Sequence, residues 1–427
     1  MKKPFLFILL FYFLCSCQSN YQGVPAFYHA LLDTALTKAG ENAEELERAL
    51  LEAPKAQKEG MAFLISYMPE RDLTSLSASF LLENVSYAYK AREKYAWCAA
   101  LPDSIFLNEV LPYANVSEDR DNWRPDFYER FSKYADDKNN STDAIMAIAR
   151  NIKDEVNVEY NTKRSRVDIS PFQAMKEHMA TCTGLSILLT NAYRSVGIPS
   201  RLAGTAMWTN YKGNHTWSEV WINGQWHFIE YYPDSLDQSW FVADAGKADP
   251  DHMLHWIYAA SFKPTQLPYY AAVDAPHAMQ VTELNKLPEE VRPRFEKMKA
   301  RATDNKPYIW GHNVTQRYIN IYQNSLKNSQ LKPNELLANV VVFANADTQN
   351  SEARLSCRVD VFTDDKRSDF GYSPATTDDM NRFLQFKLKK NTAYRFVVTH
   401  PEEKINEEFS IATKNQNSQD IQLVLNQ

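Results

Sequence analysis

MATCTGLSILLTNAYRSVGIP, residues 179–199, reads as a helix with a cysteine at its start. Apolar residues fall at Leu185, Leu188, Leu189, Ala192 and Val196, the spacing of one helical face. Gly197 and Pro199 supply the stop. Cys182 therefore lies in the first turn, where backbone N–H groups and the helix dipole favour a thiolate. A nucleophilic cysteine needs that setting.

HTWSEVWINGQWHFIEYYP, residues 215–233, reads as two strands about a tight turn. His215 to Ile222 alternates, Asn223-Gly224 is a strong hairpin signal, and Gln225 to Tyr231 resumes the strand. A two-residue loop sets Ile222 against Gln225, Trp217 against Glu230 and His215 against Tyr232. Cross-strand partners share a face, so His215, Trp217, Phe228 and Glu230 project together. His215 and Glu230 are diagonal neighbours at roughly 7–8 Å between Cα atoms, within side-chain reach. A base with an orienting carboxylate is what a cysteine nucleophile requires. His227 pairs with Val220 on the opposite face and is excluded, while Asp234 stands as the alternative partner for His215.

The runs TCTGLSILLTNAYRSVGIPSR, GNHTWSEVWINGQWHF and EYYP resemble the core of the transglutaminase-like superfamily. The resemblance covers about Phe172 to Trp240, with a weaker likeness to bacterial secreted members in WIYAASF and GHNVTQRY. It implies a papain-like core, with Cys182 as nucleophile, His215 as the family histidine and Glu230 at the aspartate position. Two residues depart from the family pattern. Ala180 stands where many members have glycine, and Glu230 is longer than aspartate, so its extra length has to be absorbed elsewhere.

Around this core the fold class is α+β. The 427 residues divide into a signal segment (1–17), a helical N-terminal region (18–165), the catalytic core (166–325) and a β-sandwich (331–427). Lys2 and Lys3 precede an apolar run from Pro4 to Leu14 that is too short to span a bilayer. Leu14-Cys15-Ser16-Cys17 resembles a bacterial lipobox with Cys17 as the lipidated residue, the alternative being an ordinary cleaved signal peptide. The lipobox reading implies a membrane anchor and a cell-envelope location, on the periplasmic face of the outer membrane. A net charge of −6 without a long basic run argues against nucleic acid. Cys98 and Cys357 read as two buried thiols, with a bridge between them as the alternative.

Helices are expected at Val24–Ala39, Ala43–Leu51, Gly60–Met68, Leu73–Lys90 and Thr142–Glu155. Trp123-Arg124-Pro125 and Leu111-Pro112-Tyr113 read as core, or as lining of a substrate groove. Asp251, His252 and His255 fall short of the three or four well-spaced ligands a metal site wants, so neither metal nor cofactor is expected. Pro288 to Ala300 reads as a surface loop or short helix; Pro307–Trp310 and Tyr318–Tyr322 read as strands. From Leu331 onward, alternation at Ala338–Ala344, Ala353–Thr363, Phe383–Lys389, Ala393–Thr399 and Ile421–Leu425 predicts the sandwich.

Three functional readings follow. The first is a thiol enzyme acting on an amide of a peptide or peptide-bearing glycan, by hydrolysis or by transfer to an amine. The second is a catalytically silent peptide- or glycan-binding lipoprotein. The third is a structural lipoprotein in which Cys182 is a small buried hydrophobe.

Overall fold

The computed structural model describes residues 21–425, apart from 212, 234, 266, 270–284, 286, 290–291, 294–295, 297–308, 329–330, 347, 349–352, 377, 379–382 and 401–403. The signal segment with Cys15 and Cys17, Asp234, residues 290–291, 294–295 and 297–300 of the 288–300 segment, and residues 307–308 of the strand expected at 307–310 lie outside the described residues. The chain divides into two compact units, 1–82 and 83–427.

In the first unit, helices His29–Ala39, Ala43–Glu52 and Lys58–Tyr67 bury Leu32, Leu46, Leu50 and Phe63. The helix expected over Leu73–Lys90 is two helices, Glu70–Leu73 and Ala78–Lys94. Between them Thr74 and Ser75 turn their hydroxyls onto the carbonyls of Glu70 and Arg71. Such local bonds compete with helix continuation, which is why helical periodicity ran past a real break.

The second unit holds a six-stranded antiparallel sheet in the order β5-β4-β3-β6-β8-β7. Its strands are β3 (Ser200–Thr205), β4 (His215–Ile222), β5 (Gln225–Ile229), β6 (Ile257–Ser261), β7 (Leu267–Pro268) and β8 (Trp310–Asn313). A short parallel pair precedes them, β1 (Glu159–Tyr160) beside β2 (Met179–Ala180). The helix Cys182–Ser195 lies on one face of the sheet against β4 and β3. There Ser186 donates to the Thr216 carbonyl at 3.1 Å, and Thr190 meets the Ser218 hydroxyl at 3.0 Å. The opposite face carries Trp217 and Phe228, packed with Phe241 and Tyr318.

Tyr318–Tyr322, expected as a strand, belongs to the helix Thr315–Asn328. Five residues of alternating polarity satisfy both periods. The deciding signal is Asn313, whose side chain accepts the Thr315 N–H at 3.0 Å as a helix cap does. Tyr318 and Tyr322 then share the helical face that packs under the sheet. The helix Ser141–Val156 is likewise capped by Asn140, two residues before the expected start at Thr142.

The last hundred residues form two sheets, β12-β9-β15 and β11-β10-β13-β14. The strands are β9 (Glu335–Phe343), β10 (Arg358–Thr363), β11 (Lys366–Tyr372), β12 (Leu384–Lys389), β13 (Ala393–His400), β14 (Ile405–Ala412) and β15 (Ser418–Val424). Leu336, Val340, Phe386 and Leu423 from one sheet meet Val359, Val361, Phe396 and Val398 from the other in one buried cluster. That is a β-sandwich. Its edge strands β11 and β14 escaped the sequence reading because charged residues interrupt them, a common protection for exposed edges. Cys98 and Cys357 are both buried thiols, with no bridge between them.

Candidate active site

Cys182 is the first residue of its helix, and three features put it there. Thr181 is extended and makes no cap, because its hydroxyl accepts from Arg164 Nε at 3.1 Å. The first-turn amides thus receive no capping bond from the Thr181 side chain. Gly184 lets this turn approach its neighbours closely, since a Cβ there would lie 2.6 Å from Ile169 Cγ2 and 2.9 Å from Ala180 Cβ. Ala180 is itself fully buried in β2, so a small residue at that position still fits.

The hairpin has the register expected from Asn223-Gly224. Ile222 pairs with Gln225, Val220 with His227 and Ser218 with Ile229. Asn223 adopts φ 50° and Gly224 φ 89°, as a two-residue hairpin turn of this kind requires. His215 and Glu230 meet diagonally across the strand ends: Nε2 lies 2.6 Å from Glu230 Oε1, with the imidazole nearly fully buried and the carboxylate slightly more open. The second carboxylate oxygen, Oε2, accepts a hydrogen bond from the Ser239 hydroxyl. Holding both oxygens fixes the additional torsion that glutamate has over aspartate. With the carboxylate on Nε2, the Nε2–H tautomer is favoured, and Nδ1 is the nitrogen that carries the lone pair.

Cys182, His215 and Glu230 open onto one cavity of about 990 Å³. This is at the upper end of ligand-pocket sizes and large enough for a short peptide. The imidazole is enclosed by rings, with Trp240 at 4.8 Å, Phe241 at 5.2 Å and Trp217 at 5.7 Å between centroids. Ser239 and Trp240 arrive on the segment after β5. Asp237 anchors that segment by accepting from the Phe228 N–H at 2.9 Å and pairing with His227 Nδ1 at 2.6 Å. The rim includes Arg150 and Lys153 from the helix Ser141–Val156, with Lys153 paired to Glu159 at 2.7 Å. The β-sandwich adds Asp378, Phe383 and Gln385 to the lining.

Behind the site lies a second carboxylate on the same sheet face. Glu219 is wholly buried and contacts Arg201 at 2.8 Å, the Tyr318 hydroxyl at 2.6 Å and Arg317. Tyr318 also accepts from Trp217 Nε1 at 2.5 Å, linking this network to the ring beside His215. Burial pushes Tyr318 up to about 12, so the phenol stays neutral, and it lowers Arg201 and Arg317 from the usual guanidinium range.

Other sequence candidates fall elsewhere. Trp123 and Tyr113 are buried, with Trp123 Nε1 donating to the Tyr113 carbonyl at 2.7 Å. Arg124 is spent on the carbonyls of Val110, Leu111, Pro112 and Arg194. None of these lines the cavity. His255 Nδ1 faces the Met207 carbonyl at 3.0 Å, and no group of three or more His, Cys, Asp or Glu among the described residues is placed to hold a metal ion. Ser239, Trp240 and Phe383 escaped the sequence reading. Ser239 precedes an aromatic pair that reads as plain core, and Phe383 lies in a different sheet system.

Residues 129–244 match the model of the transglutaminase-like superfamily, a segment that contains Cys182, His215 and Glu230. The chain therefore carries a transglutaminase-like domain, a thiol-enzyme type, set between a helical N-terminal part and C-terminal strands in sheets. A solved structure, of a "putative cysteine protease" from Cytophaga hutchinsonii, is similar at 23% identity with a TM-score of 0.26. That match covers 33% of this chain and 45% of the other, so the chain spans less than half the length of that protein. No curated protein matches the sequence.

Proposed function

We propose that the protein is a membrane-anchored thiol enzyme that hydrolyses an amide bond in a peptide or peptide-bearing glycan. The observation that carries this reading is the His215–Glu230 hydrogen bond at 2.6 Å in a cavity shared with Cys182 at a helix N-terminus. Cys182 Sγ attacks the amide carbonyl carbon while His215 Nδ1 takes the thiol proton. Glu230 holds the ring and balances the imidazolium, and Ser239 holds Glu230. The developing oxyanion meets the Cys182 N–H and its first-turn neighbours. The C–N bond then breaks, the amine leaves with the proton from His215, and an S-acyl enzyme remains. Water attacks this thioester as His215 removes its proton, and the acid departs as the thiol is restored. An amine in place of water gives transfer.

The anchor in this reading is lipid on Cys17, which places the catalytic domain in the cell envelope, at the periplasmic face of the outer membrane. More than one acyl chain is needed for stable attachment, which lipoprotein modification supplies. No helix among the described residues is long and apolar enough to cross a membrane. Mass spectrometry of the mature N-terminus should find an acylated Cys17; an unmodified start elsewhere removes the membrane claim.

Profiling on peptides and murein fragments tests the chemistry. Turnover that vanishes in Cys182→Ala is the expected result. Saturable binding of the same fragments without turnover would establish the silent binding protein instead.

A further inference from the structure

We propose that the β-sandwich supplies a substrate subsite, in which Phe383 and Trp240 together receive an apolar side chain of a peptide lying in the cleft. This deepens the thiol-enzyme reading and rests on it. Phe383 is rooted in its own sheet system, packed against the cluster of Val341, Phe343 and Ala353, while Trp240 is rooted in the catalytic core. The two rings meet at 6.5 Å between centroids, in the cavity that holds Cys182. The contact is not isolated: Lys247 of the core donates to Ser418 of the sandwich at 2.6 Å.

Three observations choose the occupant. Trp240 stands 4.8 Å from the His215 ring, so Phe383 is two ring-to-ring steps from the base. Three to four residues of an extended peptide, at about 3.3 Å each, cover that span. The Trp240 and Phe383 planes are inclined by 55°, which makes a corner rather than a flat platform. A corner takes a wedge-shaped side chain, whereas stacking of a sugar ring wants one broad face. Gln385, two residues on and in the same lining, offers both a donor and an acceptor for the peptide backbone.

The probes are iodoacetamide, N-acetyl-phenylalanyl-glycyl-glycyl chloromethyl ketone (the phenylalanyl probe, its ring set back from the ketone by the span to the corner) and N-acetyl-glycyl-glycyl-glycyl chloromethyl ketone (the glycyl probe), each scored by mass spectrometry at Cys182 of the full chain. In the native protein the phenylalanyl probe should outpace the glycyl probe by on the order of tenfold, as pocket selectivity for an apolar group allows. Divided by the iodoacetamide rate, that advantage should collapse in Phe383→Ala and fall part of the way in Phe383→Leu, which keeps an apolar side chain against the Val341, Phe343 and Ala353 cluster. Equal phenylalanyl and glycyl rates in the native protein overturn the subsite, as does an advantage that survives Phe383→Leu undiminished. Competition by N,N′-diacetylchitobiose that disappears in Phe383→Leu, with no phenylalanyl preference, would assign the corner to a sugar and also overturn it. Iodoacetamide labelling of Cys182 that ignores His215→Ala would count against the thiol enzyme itself, and so separates the two failures.

Discussion

The hairpin carries two imidazole–carboxylate pairs of equal length on opposite faces. His215 Nε2 meets Glu230 at 2.6 Å, and His227 Nδ1 meets Asp237 at 2.6 Å. What surrounds them differs. His215 is 4% exposed, ringed by aromatic side chains, and opens onto the cavity of Cys182. His227 is 28% exposed, does not line that cavity, and its carboxylate is shared with the Phe228 N–H. A carboxylate beside an imidazole is therefore not a catalytic sign by itself. The first pair shares a cavity with Cys182. The second is a clasp that ties down the segment leading to Ser239 and Trp240.

The comparison breaks first, and most visibly, on substitution of the two histidines. His215→Ala should lower turnover by about 10²–10⁴-fold, the usual worth of a general base. His227→Ala should keep kcat/KM within about threefold while lowering stability by about 1 kcal/mol. Steady-state kinetics and urea unfolding check both, and equal kinetic losses would erase the distinction drawn here.

Glu219 tests whether a second carboxylate on the catalytic face is chemical or structural. Removing it leaves the buried Arg201, still paired with Glu109 at 3.8 Å, beside the partly exposed Arg317 without the carboxylate between them, so Glu219→Ala should cost about 3 kcal/mol of folding stability. Chemical denaturation reads this; a stable but inactive variant would instead place Glu219 in the chemistry.

Ser239→Ala sharpens the description of the first pair. It removes one hydrogen bond to a carboxylate and should lower kcat by about tenfold with little change in KM. Ser239→Thr should restore most of the rate, and in a Glu230→Ala background Ser239→Ala should add nothing. A further loss in that background would mean that Ser239 acts through packing.

The smallest effect supplies a control on pH. Burial pulls the Asp168 carboxyl up, but hydrogen bonds from Arg166 and Ser117 outweigh it and hold the group below its ordinary value. A depressed carboxylate stabilises the fold above the ordinary value of about 3.9 and loses that contribution as pH falls through its folded value. Asp168→Asn should therefore flatten the acid limb of the stability curve, measured by thermal melts from pH 5 to pH 2. Loss of activity at higher pH than this belongs to the site and not to the fold.

Much of the site was legible because its signals are local. The Cys182 helix start and the Asn223-Gly224 register follow from spacing alone, and register then places His215 with Glu230 and sets His227 apart. The helix at Tyr318 was misread because a five-residue window cannot separate the two periods, and the break at Thr74 because hydroxyl back-bonding leaves no mark on polarity. Ser239 and Phe383 were illegible for a different reason. Their partners are set by a loop anchored through Asp237 and by the seating of one sheet system on another, neither of which has a sequence period.

The cleft draws its lining from as far apart as Arg150 and Gln385. A chain emerging from the ribosome at about 5–20 residues per second presents Cys182 roughly ten to forty seconds before Gln385. Cys182 and His215 are thus made before the wall that, on the proposed reading, selects a substrate. On the proposed reading, the residues that would discriminate among substrates are the last of the cleft to be synthesised.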